Sequence, residues 1–338
     1  MISELKCLIA QASGEKREAT CVWIGSVIMP LMVVSVAAAA QDIVPIKRTI
    51  LSNGAGRYSI PMDIDGQKLD VMLDTGSVGL RYLDLRGKSH GEIQTFSYGS
   101  GVVFHGSVLA RKIMIGSNVV EVPAQDVIKL SCVHEQPICP ANTLSIDQYR
   151  IGGSGLPNEG FGAIIGVAPN QGNDGWINPL ASIGSSWIIE LPLPHSDSQG
   201  QLVVDPPAKD QSKYAVAQKP AGAAKFGQSF RASVEGCVTA EGIKPQCGPI
   251  SFDTGAVGVV VSGQGATALT GKDVQIHIHL ADKSELTFSS DKIAQGAPAG
   301  KVVGKEAKNT VIAAGVLPYF AFSVLYDAKR DQLAIKPR

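Results

Sequence analysis

The chain has 338 residues, with 30 Lys+Arg against 30 Asp+Glu, so its formal net charge is zero and no basic stripe points to nucleic acid. That length is enough for two domains with a sizeable core. With 37 Gly, 19 Pro and few Ala-Leu-Glu-Lys blocks, the composition argues against a helical bundle and for many short strands joined by turns, an all-β protein.

The first forty residues differ from the rest. Lys16 and Arg17 precede an apolar run from Val22 to Val36, and Ala38-Ala39-Ala40 satisfies the small-x-small cleavage rule. Residues 1–40 read as a secretory signal peptide cut before Gln41. The alternative is an uncleaved membrane anchor, but Val22 to Ala40 is 19 residues, barely enough to span, and Pro30 with the alanine cluster favours cleavage. No other segment reads as membrane-crossing. Six cysteines are present, and Cys7 and Cys21 belong to this leader. Cys132, Cys139, Cys237 and Cys247 remain and fall into two local pairs, which in an exported chain read as disulfides. Their gaps of six and nine residues do not fit zinc-ligand spacing.

In chain order, Ile43–Ile46 and the alternating stretch Arg57–Ile64 predict strands. Asp65-Gly66 is a hairpin turn signal, and the return strand Lys68–Leu73 delivers Asp74 at its end. Phe96 to Val108 predicts two strands joined by a Tyr98-Gly99-Ser100-Gly101 tip, a glycine-rich cover carrying one aromatic that can close on a cleft. Between Cys132 and Gly160 the chain turns polar and loop-like. Phe161–Ala168 is a buried strand, Trp187–Leu193 and Gly200–Val204 close the first half, and Asp205–Gln211 is the best linker candidate. The second half supplies strands over Val274–Leu280, Ala321–Tyr326 and Gln332–Ile335. It also carries Val311–Leu317, an apolar run around a glycine that matches Phe161–Ala168.

Seven residues occur twice in related form. Asp74-Thr75-Gly76-Ser77-Val78-Gly79-Leu80 and Asp253-Thr254-Gly255-Ala256-Val257-Gly258-Val259 each follow an apolar lead-in. The repeat predicts one site assembled from two similar halves, each giving one carboxylate. Two close carboxyls cannot both ionise easily and so share a proton. The ionised member takes a proton from water while the protonated member polarises a carbonyl, which drives hydrolysis of an amide without a metal or a covalent intermediate. Thr75 and Thr254 can hydrogen-bond across to the other half. Gly76 and Gly255 let the chain turn tightly and leave room for close approach. For a single copy, a turn aspartate at a strand end would be the plainer reading.

These pieces resemble the pepsin-like aspartic peptidases over most of the chain from Ile43 onward. The resemblance rests on Leu73–Ser77, Tyr98–Gly101, Gly162–Gly166, Phe252–Ala256 and the closing stretches Ala313–Phe320 and Ser323–Asp327. It implies a bilobal fold with a central cleft, an N-terminal lobe over residues 41–207 and a C-terminal lobe over 208–338. It implies Asp74 and Asp253 as the catalytic dyad, Tyr98 as the flap tyrosine with Gly99, Ser100, Gly76 and Gly255 near substrate, and Ser77 as a hydrogen-bond partner of Asp74. The expected activity is endopeptidase cleavage of a peptide or protein with an acidic optimum and apolar residues flanking the bond. No cofactor or metal is expected, and the chain is expected to act as a monomer exported to the periplasm or medium. Three positions depart from the family pattern. Arg81 stands where a flap-supporting Trp is usual, Ala256 where Ser or Thr is commoner, and Val316 where an Asp is frequent. They imply a divergent member, of the exported bacterial branch, with altered flap support and pH optimum.

A pepsin-like protein that binds without cutting usually loses a motif residue, and both Asp-Thr-Gly units are intact here. Gly87-Lys88-Ser89-His90-Gly91 has nucleophile-elbow spacing, but the strand-like Glu92–Phe96 follows it where that motif needs a helix. His277 and His279 share one strand face, with no further ligand at fitting spacing.

Overall fold

The computed structural model describes residues 42–83, 91–133, 139–169, 176–220 and 233–338. The expected signal peptide, residues 1–40, and Ser89 of the elbow-like motif lie outside the described residues. The described chain is all-β, with only short helical turns.

Before the first aspartate come β1 (Asp42–Ile50), β2 (Gly56–Ile64) and β3 (Gln67–Asp74). Asp65 and Gly66 join β2 to β3 with φ of 50° and 86°, the left-handed pair of a tight hairpin turn. β4 (Val78–Leu83) leaves the motif, and β5 (Ile93–Ser97), β6 (Val102–Ile115) and β7 (Asn118–Cys132) form a long meander. β8 (Ala163–Val167) is buried at every position, as expected for an apolar run enclosed on both faces. β9 (Ser186–Glu190), β10 (Gly200–Val204) and β11 (Ala215–Val216) follow. The second half brings β12 (Ser233–Ala240), β13 (Ile243–Ser251), β14 (Val259–Gly263), β15 (Gln275–His279) and β16 (Glu285–Ser289). Last come β17 (Val302–Glu306), β18 (Val311–Ala313), β19 (Phe322–Asp327) and β20 (Gln332–Pro337).

The same local topology occurs twice. In the larger sheet the strands run β2-β3-β8-β4-β7, and in the smaller one β12-β13-β18-β14-β17. In both, the strand that leads into the Asp-Thr-Gly turn is parallel to the late apolar strand, β3 to β8 and β13 to β18. In both, the strand leaving the turn runs antiparallel to that same strand, β4 to β8 and β14 to β18. The late strand is thus wedged between the two arms of the turn, which fixes where the aspartate emerges. The sequence match between Phe161–Ala168 and Val311–Leu317 reflects this shared position.

The larger sheet continues through β1 into an antiparallel run β11-β20-β19-β9-β10-β1. Strands from both sides of the expected boundary at 207/208 meet in it: β9 pairs β19 with Trp187 opposite Tyr326, and their rings stack at 5.9 Å. The linker candidate is a left-handed Asp205 followed by two prolines and one helical turn, Ala208–Gln211. One apolar core runs beneath both sheets, from Ile46 and Leu73 to Phe252 and Tyr319. A second cluster of Met72, Phe104, Tyr149, Phe161 and Ile164 packs beside the β5–β6 hairpin. Both cysteine pairs are disulfides: Cys132–Cys139 closes the loop after β7, and Cys237–Cys247 bridges opposed positions of β12 and β13.

Candidate active site

The two Asp-Thr-Gly turns meet head to head. Thr75 N–H donates to Thr254 Oγ1 and Thr254 N–H donates to Thr75 Oγ1, both at 3.0 Å. Each hydroxyl then donates to the strand of the opposite half, Thr75 to Phe252 O at 3.2 Å and Thr254 to Leu73 O at 2.7 Å. Both threonines are fully buried, so these reciprocal bonds satisfy backbone groups that water cannot reach. Behind them the buried Tyr319 hydroxyl donates to Thr75 Oγ1 at 2.8 Å and is closely bonded to the Tyr326 hydroxyl. Sequence reasoning missed this tyrosine pair. The only available signal was that a hydroxyl in an apolar core needs a partner.

This clamp sets the aspartates against each other. Gly76 N–H donates to Asp74 Oδ1 and Gly255 N–H to Asp253 Oδ1, each at 2.8 Å. A Cβ on Gly76 would lie 2.5 Å from the Asp253 carboxyl, and one on Gly255 would lie 2.6 Å from Asp74 Oδ1. Only glycine admits so close an approach, and its presence lets the carboxyls bond to each other. The halves differ at one point: Ser77 Oγ donates to Asp74 Oδ2 at 2.5 Å, whereas Ala256 has no hydroxyl to offer Asp253. Burial, and then the neighbouring Asp74, push the Asp253 carboxyl well above the usual carboxylate range. Asp74 accepts hydrogen bonds at both oxygens, whereas Asp253 accepts one from Gly255 N–H, so the two carboxyls sit in unequal environments.

The β5–β6 hairpin carries Tyr98 to this site. Gly101 N–H donates to Tyr98 O at 2.9 Å and closes the tip turn. The Tyr98 ring packs edge-on against Phe104 at 5.1 Å and Phe96 at 4.9 Å. Its hydroxyl is buried beside Arg81, Ser77 and Asp74 but forms no hydrogen bond of good geometry. Burial first, and then Asp74, raise it to about 12. Arg81 is fully buried. Its guanidinium lies 3.4 Å from the Phe96 ring centre and 4.4 Å from that of Trp176, and donates to Val78 O at 2.9 Å. With Phe96 and Trp176 both in cation–π range, Arg81 brings a cation beside the tyrosine.

A cavity of about 370 Å³ opens over the dyad, walled by Asp74, Asp253, Tyr98, Gly99, Ser100 and Gly255 among others. Gly76 is not part of that wall and instead backs the Asp253 carboxyl. A larger cavity of about 790 Å³, lined by Leu69, Tyr82 and Arg111, contains neither aspartate and none of the predicted residues. Within the dyad cavity the sequence reading missed Arg57. Its Nη1 donates to Gly255 O at 2.9 Å and its Nε to Gly152 O at 2.8 Å, beside both aspartates. Among the described residues no cluster of His, Cys, Asp or Glu could hold a metal ion. His277 Nδ1 instead lies 2.7 Å from Glu285 on the neighbouring strand. No protein-family model matches the chain, and no curated protein matches it.

Proposed function

We propose that the chain is an aspartic endopeptidase of pepsin-like, bilobal architecture, with Asp74 and Asp253 as its catalytic dyad. The observation that carries this reading is the reciprocal threonine clamp, which sets two carboxyls from matched turns in hydrogen-bonding contact at the base of a cavity. No other pair of titratable groups along the cavity wall is held in such a way.

The chemistry follows from the asymmetry. A water between the carboxyls gives its proton to Asp74 and attacks the scissile carbonyl carbon. Asp253 donates to the carbonyl oxygen as the tetrahedral diol forms. The proton held by Asp74 then passes to the amide nitrogen, the C–N bond breaks and Asp253 recovers its proton from the diol. Tyr98 covers the cavity, and its raised hydroxyl remains a neutral donor throughout. Met72, Phe104, Leu144 and Ile164 on the wall support an apolar residue on at least one side of the bond. The two disulfides, together with the leader of residues 1–40, support export to the periplasm or medium. Among the described residues no helix is long and apolar enough to cross a membrane.

The test is hydrolysis of a mixed peptide library from about pH 3 to pH 7 by the oxidised chain and by Asp74→Asn. Acid-side cleavage that disappears in Asp74→Asn and with a statine-type inhibitor supports the dyad. A folded, disulfide-bonded chain that cleaves nothing would instead support a pepsin-like binding protein.

A further inference from the structure

The cavity above the dyad carries more positive charge than peptide hydrolysis requires. Two arginines stand on its wall, Arg57 at the start of β2 and Arg150, which also borders the larger cavity, in the segment after the first disulfide. Both are held by neutral groups. Arg57 donates to the carbonyls of Gly255 and Gly152, and Arg150 donates to those of Asp147 at 2.9 Å and Tyr149 at 2.7 Å. Neither guanidinium forms an ion pair with a carboxylate of the fold among the described residues, whereas Arg111 pairs with both Asp65 and Asp126. Arg57 Nη2 forms no hydrogen bond among the described residues, and Arg57 lines the cavity.

The charges do not balance. A dyad that shares one proton carries about one negative charge, against two fixed cations on the same wall. Burial pulls the Arg57 guanidinium below its ordinary value, and the nearby Asp253 and Asp74 only partly offset this. A guanidinium with a free arm in a partly desolvated pocket is complementary to a planar carboxylate. Arg57 is also placed close to the reacting atoms, since the carbonyl it holds belongs to Gly255, two residues after Asp253.

We propose that, within the peptidase reading above on which this rests, the cleft selects a substrate carboxylate beside the scissile bond, with Arg57 as the specificity-determining residue and Arg150 as its support. One flanking residue is then apolar and the other anionic. The carboxylate has two sources, a Glu or Asp side chain, or the free C-terminus of a short peptide.

The experiment compares kcat/KM for four peptides of one cleavable sequence. Glu and Gln are exchanged at the residue flanking the bond, and a free and an amidated C-terminus are exchanged just beyond it. All are run on the wild type, Arg57→Gln, Arg57→Lys and Arg150→Gln. The wild type should favour the carboxylate over its amide by tenfold or more in one arm, which identifies the source. The ratio should fall to near one in Arg57→Gln, recover in part in Arg57→Lys, and fall less in Arg150→Gln. Should Arg57→Gln fail to fold, the wild-type ratio and the Arg57→Lys and Arg150→Gln values decide. Asp74-dependent cleavage with equal kcat/KM for every carboxylate and amide pair overturns this inference and leaves the peptidase reading standing. Absence of cleavage of all four peptides and of the mixed library overturns both.

Discussion

Replacing Ala256 by Ser gives Asp253 the hydroxyl that Asp74 already has. In the first half Ser77 sits three residues after Asp74 and donates to Oδ2 at 2.5 Å. Ala256 sits at the same offset from Asp253, in a turn held by the same threonine clamp. A hydrogen bond to an ionised group contributes about 1.5–3 kcal/mol. Asp253 is partly open to the cavity, so solvent competes, and about 1 kcal/mol is a fair expectation. At about 1.4 kcal/mol per pKa unit this lowers the Asp253 pKa by roughly 0.7 unit. The sign follows from which form accepts the bond. Ionised Asp253 gains, its proton leaves at lower pH, and the alkaline limb of kcat/KM moves toward acid by the same amount. At a pH well above that limb, kcat/KM should fall about fivefold. Two assays check this: the pH profile on one peptide, and carboxyl-carbon NMR titration of aspartate-labelled protein with Asp253→Asn to assign the signal. A limb and a titration that stay put, or move toward alkali, would refute the assignment of Asp253 as the proton-holding member.

Asp253→Asn tests the same asymmetry through stability. The folded Asp253 carboxyl binds its proton more tightly than the unfolded group, with its ordinary value of 3.8. Its contribution is therefore complete below that pH and is lost as pH rises through the raised value, so the variant should melt higher than wild type at about pH 7 and gain nothing at about pH 3. Thr254→Ala leaves the Thr75 N–H and the Leu73 carbonyl buried without their partner and should cost about 2–4 kcal/mol in urea unfolding, while Thr254→Ser should restore most of it. Gly76→Ala places a methyl 2.5 Å from the Asp253 carboxyl and should lower kcat about 100-fold or more, with KM much less affected.

Much of the site was legible because its chemistry leaves little freedom. A carboxylate that must meet its twin needs a turn tight enough for glycine and a cross-linking hydroxyl, and Asp74–Gly76 and Asp253–Gly255 state this in plain residues. The short disulfides were legible from cysteine spacing, and the Asp65-Gly66 hairpin from its turn residues. Other features depend on neighbours brought in from afar. Arg57 is one cation at the start of an ordinary strand, and nothing in its local sequence says that Gly152 and Gly255 will present carbonyls to it. Tyr319 meets Thr75 only after the whole chain has folded. Pro245 and Pro249, within β13, are residues that disfavour a strand. β13 is one nonetheless, because β18 pairs only with Ile250 and Ser251, so much of the proline-bearing stretch has only β12 beside it, and a disulfide ties it there. Pro206 and Pro207 mark the linker candidate, and β11, β19 and β20 beyond it join the larger sheet, because pairing is set by edges open to strands from any part of the chain.

The disulfide after β7 stands beside the tip of the β5–β6 hairpin. Cys132 lies opposite Val102, the first residue of the returning strand, and the N–H of Val133 holds the carbonyl of Gly101 at the tip at 2.8 Å. The tip thus hydrogen-bonds to a strand end whose onward path the disulfide fixes. Formation of this one cross-link therefore fixes, at second hand, the support on which the hairpin tip rests.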